Sequence, residues 1–320
     1  MVLGALGVTI LNDESFENCM NRRSFLLMTA GLLASTGVQA RGTTAEILRA
    51  ELPRVCGRRA AAIEATLTRL SRLKPPTSGR TITVDLPSQQ LVAYQDGSIV
   101  MECRVVIGDE GWRTPDLDTV TTFVRFNPTW TVPESIVSAR RWRDKVLADP
   151  SYFENLNFRI EAGGRMMTPT DVSESGLRPV RFVQQPGRSN ALGRVKIGLA
   201  AGGSVYLHDT NDQEAFGEDD RAQSHGCIRV EKAMELAAWV MGIDPDAARE
   251  MRRGGDKRDH RPGPVRVVTT YFTAWPDDQG VVQYYPDIYA RDRRVARCSS
   301  DTEPMRQWVP SGFPSDYEVE

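Results

Sequence analysis

Arg80-Thr81-Ile82-Thr83-Val84-Asp85-Leu86 alternates polar and apolar side chains, the pattern of a strand with one buried face. The alternation continues outward. Residues 90–94 (Gln-Leu-Val-Ala-Tyr) form a second run, and Gln95-Asp96-Gly97 is turn chemistry. Residues 99–107 form a third run that ends at Gly108, which makes a meander. Further strands are expected at 121–126, 129–132, 195–199, 205–208, 265–275 and 281–285. Pro128, Pro133 and Asp277-Asp278-Gln279-Gly280 punctuate them. The expected fold class is mainly β with helices, an α+β domain that is mostly antiparallel.

Helical stretches interrupt this framework. Residues 44–73 carry Ile47, Leu48, Leu52, Ile63, Leu67, Leu70 and Leu73 at helical spacing, split by Pro53 and Gly57. Residues 41–79 are therefore a helical spacer that ends in the Pro-rich linker 74–79. Residues 133–150 turn helical, and 151–187 are irregular and mixed. Together, 134–187 read as an insertion in the β domain, a candidate lid or substrate-gripping element. A helix is expected over 230–241, stopped by Gly242, and another starts at Asp244-Pro245, an N-cap followed by Pro. The chain after Asp292 (293–320) is a polar tail.

The N-terminus has a different character. Asn21-Arg22-Arg23-Ser24-Phe25-Leu26-Leu27 sets two arginines before an apolar run through Leu33, and Val38-Gln39-Ala40 suits signal peptidase. This resembles a twin-arginine export signal, so residues 1–40 are expected to be removed and the rest to be periplasmic, with no stable membrane insertion after cleavage. A membrane-anchoring helix is the weaker reading, because the apolar run is short. Met20 directly precedes the signal and is an alternative start. Outside the cytoplasm, Cys56, Cys103, Cys227 and Cys298 could form a bridge, but sequence does not choose it. The formal net charge of −2 in 320 residues shows no global bias toward nucleic acid or anionic membranes.

Two stretches concentrate reactive side chains: Tyr206-Leu207-His208-Asp209-Thr210 and Ser224-His225-Gly226-Cys227-Ile228-Arg229. They hold two of the chain's three histidines. A neighbouring imidazole removes a thiol's proton and makes it a nucleophile. A polar loop between His208 and Cys227 can bring both to one rim. Cys227 is expected to open the helix near Val230, whose N-terminus would favour a thiolate and whose free N–H groups could hold an oxyanion. A core Cys with a core His fits poorly, because Ser-His-Gly-Cys is too polar. Zinc held by His208, His225 and Cys227 lacks a fourth ligand, so no metal or other cofactor is expected. A disulfide at Cys227 would leave both histidines unexplained. His260, Asp219-Asp220 and the arginines from Arg291 to Arg297 read as solvated loop and tail.

These stretches resemble the catalytic signature of the L,D-transpeptidase (YkuD-type) family. Asn127-Pro128-Thr129-Trp130-Thr131-Val132-Pro133, Gln185-Pro186-Gly187, residues 190–196 and Asp287-Ile288-Tyr289 extend the likeness across about 80–292. The likeness is to the larger Gram-negative branch, although 41–79 is too short for that branch's peptidoglycan-binding module. It implies a mixed β-sheet or sandwich domain with a helical capping insertion. It also implies that Cys227 attacks a donor stem tetrapeptide at diaminopimelate and that His208 serves as base and acid. His225 and Gly226 would border the oxyanion. Arg229, Tyr206, Ser224 and Trp130 would bind substrate. The implied outcome is a 3→3 cross-link, with peptidoglycan stem peptides as partners and carbapenems as inhibitors. Hydrolysis, wall-protein attachment, D-amino acid exchange and an inactive wall-binding module are the alternatives.

Overall fold

A computed structural model describes residues 43–170, 181–295 and Cys298. Residues 1–40, read above as an export signal, and most of the tail lie outside the described residues. Two helices come first, α1 (Thr44–Glu51) and α2 (Gly57–Leu70). Thr43 and Glu46 close a reciprocal capping box at the start of α1, each satisfying the other's backbone N–H. The strands β1 (Arg80–Asp85), β2 (Gln90–Gln95), β3 (Ser98–Gly108) and β4 (Asp118–Phe126) follow.

The inserted unit contains β5 (Trp130–Thr131), α3 (Glu134–Ala139), α4 (Trp142–Ala148), α5 (Pro150–Asn155), β6 (Phe158–Ala162), β7 (Arg165–Met167) and β8 (Arg181–Gln184). Next come β9 (Val195–Leu199), β10 (Leu207–His208), β11 (Ala222–Ser224) and β12 (Ile228–Val230). The chain continues through α6 (Ala233–Met241), α7 (Pro245–Arg253), β13 (Asp259–His260), β14 (Arg266–Thr270), β15 (Ala274–Pro276) and β16 (Val282–Tyr284).

The main sheet runs β11-β3-β12-β10-β9-β4-β14-β1-β2, with β13 alongside β4. Most of its pairings are antiparallel, as expected, but β1–β14, β10–β12 and β11–β3 are parallel, so the sheet is mixed. These partners are distant in sequence, so local alternation could not reveal their direction. Strand β3 pairs with β2 along its first half and with β12 at Val105 and Val106, so the sheet folds back on itself through this strand. Ile82, Val84, Leu91, Ile107, Val124, Ile197, Leu207 and Ile228 fill the enclosed core, which α6 caps with Leu236, Ala237 and Val240.

The insertion is more ordered than its sequence suggested. Residues 151–187 supply a helix and three strands, and β5 belongs to their sheet, in the order β5-β8-β6-β7. A separate core forms around Ile136, Val146, Phe153, Phe158, Ile160 and Phe182. Trp142 stands edge-on to Phe158 at 5.2 Å and to Phe182 at 5.5 Å. The expected strand at 129–132 is present as β5, whereas the three-residue β7 carries too few alternations to read as a strand.

Helices α1 and α2 pack Leu48, Ile63 and Leu70 against Phe272, Trp275 and Tyr284 of the β15–β16 hairpin. Cys56 and Cys298 form a disulfide with Cα atoms 6.1 Å apart, so the tail is tied to the spacer at this point. His260 is not in a solvated loop. It pairs in β13 with Val124, and its Nε2 lies 3.0 Å from Asp256 Oδ2. Nor is Arg291 a solvated tail residue: it ion-pairs with Asp116 and lies over the rings of Tyr271 and Tyr289. Among the described residues, no helix is long and apolar enough to cross a membrane.

Candidate active site

Strand β10 sits between β9 and β12, with His208 opposite Lys196 on one side and Arg229 on the other. Cross-strand partners share a face, so these three side chains emerge together while Leu207, Ile197 and Ile228 point into the core. Tyr206 lies two residues before His208 and Cys227 two before Arg229, so the alternation turns both toward that face. The Ile228 amide donates to the Tyr206 carbonyl at 3.0 Å, which ties the two motifs together.

His208 Nδ1 lies 2.5 Å from the carbonyl oxygen of Asp209. A carbonyl can only accept, so Nδ1 carries the proton and Nε2 is left as the base. The group that orients the imidazole is therefore a backbone oxygen. The Asp209 side chain is fully buried and points elsewhere. It accepts from Arg194 Nε at 2.5 Å, Arg194 Nη2 at 3.1 Å, the Arg194 amide at 2.8 Å and Gln213 Nε2 at 3.0 Å. Gly193, at φ +60°, makes room for it: a Cβ there would lie 2.6 Å from Asp209 Cγ and from the Thr210 nitrogen.

The turn that presents Cys227 is also braced. Ser224 Oγ donates to the Cys227 carbonyl at 2.6 Å and accepts from the Gly226 amide at 3.1 Å. The buried Thr114 hydroxyl donates to the Gly226 carbonyl at 3.0 Å, and the Tyr289 hydroxyl donates to the Gly108 carbonyl beside it at 2.6 Å. Because Ser224 occupies the Gly226 amide, that amide is not available to an oxyanion; the Cys227 amide is the next backbone donor along the turn. Gly226 has φ +99°, which only glycine adopts cheaply.

The helix expected to open at Cys227 begins instead at Ala233, with Lys232 as N-cap. Ile228-Arg229-Val230 is strand β12, because its backbone groups are satisfied by β10 and β3. The N-terminus of this helix therefore does not favour the thiolate. Burial pushes the Cys227 thiol above its ordinary value, opposed by the Tyr206 backbone and by the Lys196 and Arg229 cations. Its Sγ donates to the Ser204 carbonyl at 3.4 Å. Burial lowers His208 to about 4, opposed by its bond to the Asp209 carbonyl. Burial thus favours the neutral form of both side chains, and the thiol rests on the Ser204 carbonyl.

A cavity of about 500 Å³ opens over this face. His208, Cys227, Tyr206, Ser224, His225 and Arg229 line its floor. The inserted unit supplies the opposite wall with Trp130, Ile136, Arg140, Trp142, Tyr152 and Phe158. Of the residues singled out from sequence, only Gly226 falls outside this lining. The His225 ring sits 5.1 Å from Trp112, and Arg229 ion-pairs with Asp212 at 3.5 Å. Lys196 Nζ lies 3.5 Å from the centre of the Tyr206 ring.

Sequence reasoning did not single out Lys196, Arg194, Thr114 or Arg140. Lys196 and Arg194 fall within a quoted stretch, but nothing in their local pattern marks them. Cys103 is buried, and burial raises its thiol to about 11. Among the described residues, no three His, Cys, Asp or Glu side chains gather as a metal site.

Residues 79–267 match the YkuD family model, described as the L,D-transpeptidase catalytic domain. A curated Haemophilus influenzae protein, provisionally named an L,D-transpeptidase, is 31% identical over 236 residues, covering 71% of this chain and 48% of that protein. The chain thus spans about half the length of the curated relative it matches. Among solved structures, the catalytic domain of an Enterococcus faecium L,D-transpeptidase acylated by ertapenem is 17% identical, covering 59% of this chain and 97% of that one, with a TM-score of 0.29. An L,D-transpeptidase from Mycobacterium smegmatis is 12% identical, covering 60% of this chain and 59% of that one, with a TM-score of 0.28. With the family model spanning more than half of its length, this chain belongs to the YkuD family of L,D-transpeptidase catalytic domains.

Proposed function

We propose that this protein is a periplasmic cysteine acyltransferase that forms 3→3 cross-links between peptidoglycan stem peptides. The observation that carries the reading is a single cavity lined by Cys227 and by His208, with the His208 imidazole held by the Asp209 carbonyl so that Nε2 is free to take a proton. The twin-arginine-like segment supports export.

The favoured neutral forms set the order of events. Sγ attacks the carbonyl of diaminopimelate in a donor tetrapeptide while its proton passes to Nε2 of His208. The C–N bond to the terminal D-Ala then breaks, the imidazolium returns the proton to the leaving amine, and a thioester remains on Cys227. An acceptor amine, the diaminopimelate side chain of a second stem, attacks the thioester and gives its proton to His208. The new amide forms and the thiol is restored, with no net oxidation. A neutral thiol is stable until a substrate carbonyl arrives, which limits idle hydrolysis and oxidation. Tyr206, held by Lys196, and the Trp130 and Trp142 wall give the peptide an apolar channel.

The same electrophile chemistry predicts carbapenem acylation of Cys227. Incubation with a disaccharide-tetrapeptide, read by mass spectrometry, tests the reading. A cross-linked dimer with loss of D-Ala supports it, tripeptide alone would indicate hydrolysis, and no reaction would leave a wall-binding module.

A further inference from the structure

The cavity lining contains two guanidinium groups, Arg140 and Arg229, and two imidazoles, but no aspartate or glutamate. The two arginines come from different parts of the fold. Arg229 rises from β12 beside the nucleophile, and Arg140 closes α3 on the inserted unit. Arg229 has a partner, Asp212 at 3.5 Å, whose side chain is more than half exposed. Arg140 is exposed and, among the described residues, makes no ion pair. Arg140 also contributes, after burial, to lowering both His225 and Arg229, so its charge reaches across the cavity. A cavity with a nucleophile at its base, cations on two walls and no anion of its own is complementary to an anionic ligand.

We propose that Arg140 and Arg229 grip the terminal carboxylate of the donor peptide from opposite walls, so that the inserted unit selects donors whose leaving residue ends in a free carboxylate. This rests on the donor assignment above and adds a recognition role to Arg140. Guanidinium groups match carboxylates in planar, charge-assisted bonds, and a ligand spanning both walls would hold the insertion over the thiol. The contact is present in the bound donor and persists until the residue leaves. It therefore acts mainly on KM.

The test compares a synthetic stem tetrapeptide with its C-terminal amide, using the wild type, Arg140→Ala and Arg140→Lys. An exposed charge-assisted contact predicts a wild-type kcat/KM about tenfold higher for the acid than for the amide. In Arg140→Ala, KM for the acid rises about threefold with kcat unchanged, and the preference for the acid shrinks to the part that Arg229 alone supplies. Arg140→Lys restores part of the preference, and rising salt erodes it in the wild type. Melting temperatures of the variants should match the wild type, because Arg140 packs into neither core. A wild type active on both peptides without preference refutes the clamp and leaves the acyltransferase reading standing. Arg140→Ala with its preference intact, or with both substrates slowed equally, refutes it too. A wild type inactive on both refutes the donor assignment and the clamp with it.

Discussion

Replacing Gly193 with Ala tests how the catalytic base is held. The residue touches neither the thiol nor the imidazole. Its φ of +60° costs an alanine about 1–2 kcal/mol by itself. The added Cβ would also lie 2.6 Å from Asp209 Cγ and from the Thr210 nitrogen. Comfortable carbon contacts need about 3.5–4.0 Å, so Asp209 must retreat by about 1 Å. Asp209 cannot move alone, because its carbonyl holds His208 Nδ1 and its carboxylate holds Arg194. A misplacement of about 1 Å at a catalytic group can cost on the order of 100-fold in rate. Gly242→Ala is the matched control. Its φ is +68° and no atom lies within 4 Å of the built Cβ, so it pays the backbone cost without the clash. The assay is carbapenem acylation of Cys227, followed by intact mass with time, beside a thermal melt for each variant. Gly193→Ala should fold and acylate about 100-fold more slowly. Gly242→Ala should lose similar backbone stability and acylate at the wild-type rate. Normal acylation by a folded Gly193→Ala would show that the Asp209 carbonyl does not position the base.

Three further outcomes follow from the same geometry. His208 is lowered from 6.5 to about 4, so its base form persists in mild acid. At pH 5.5 carbapenem acylation should run about tenfold faster than an unshifted histidine would allow, with the acid limb near 4; a limb near 6.5 would contradict the buried neutral base. The sign for stability is the same. The unfolded chain binds this proton more tightly, so the contribution of His208, at most about 3 kcal/mol, is present above pH 6.5 and is lost as pH falls toward 4. Reducing the Cys56–Cys298 bridge opens a loop of 242 residues, which by loop entropy should cost about 5 kcal/mol, or about 10–20 °C of melting temperature, and leave carbapenem acylation intact. An unchanged melt would mean that the hairpin packing alone holds α1 and α2.

Much of this site is written in side-chain identity, and that part was legible. His208, Cys227, His225 and Ser224 stand in compact motifs, and the alternation from Thr81 to Leu86 announced a sheet. What escaped is carried by the backbone or by distance. The Asp209 carbonyl is a generic peptide oxygen and has no sequence signature. Strand β12 reads from sequence as part of the helix after it because Ile228, Val230 and the apolar face of α6 run on continuously, and Lys232 is a weak N-cap signal. The parallel pairs β1–β14 and β10–β12 join segments far apart in the chain. Arg140 looks like any arginine in the basic run Arg140-Arg141-Trp142-Arg143 until the fold places it in the same cavity lining as Arg229. The Cys56–Cys298 pairing likewise needed the hairpin that brings the ends together.

In the proposed reaction Cys227, with His208 as its base, takes the acyl group of a stem tetrapeptide and passes it to an amine. Incubating the wild type and Cys227→Ala with disaccharide-tetrapeptide and resolving the products by mass spectrometry tests it directly. The expected result is a 3→3 dimer, stoichiometric loss of D-Ala and a transient thioester, on the wild type only. Dimer formation by Cys227→Ala, or a wild type that releases no D-Ala, would contradict it.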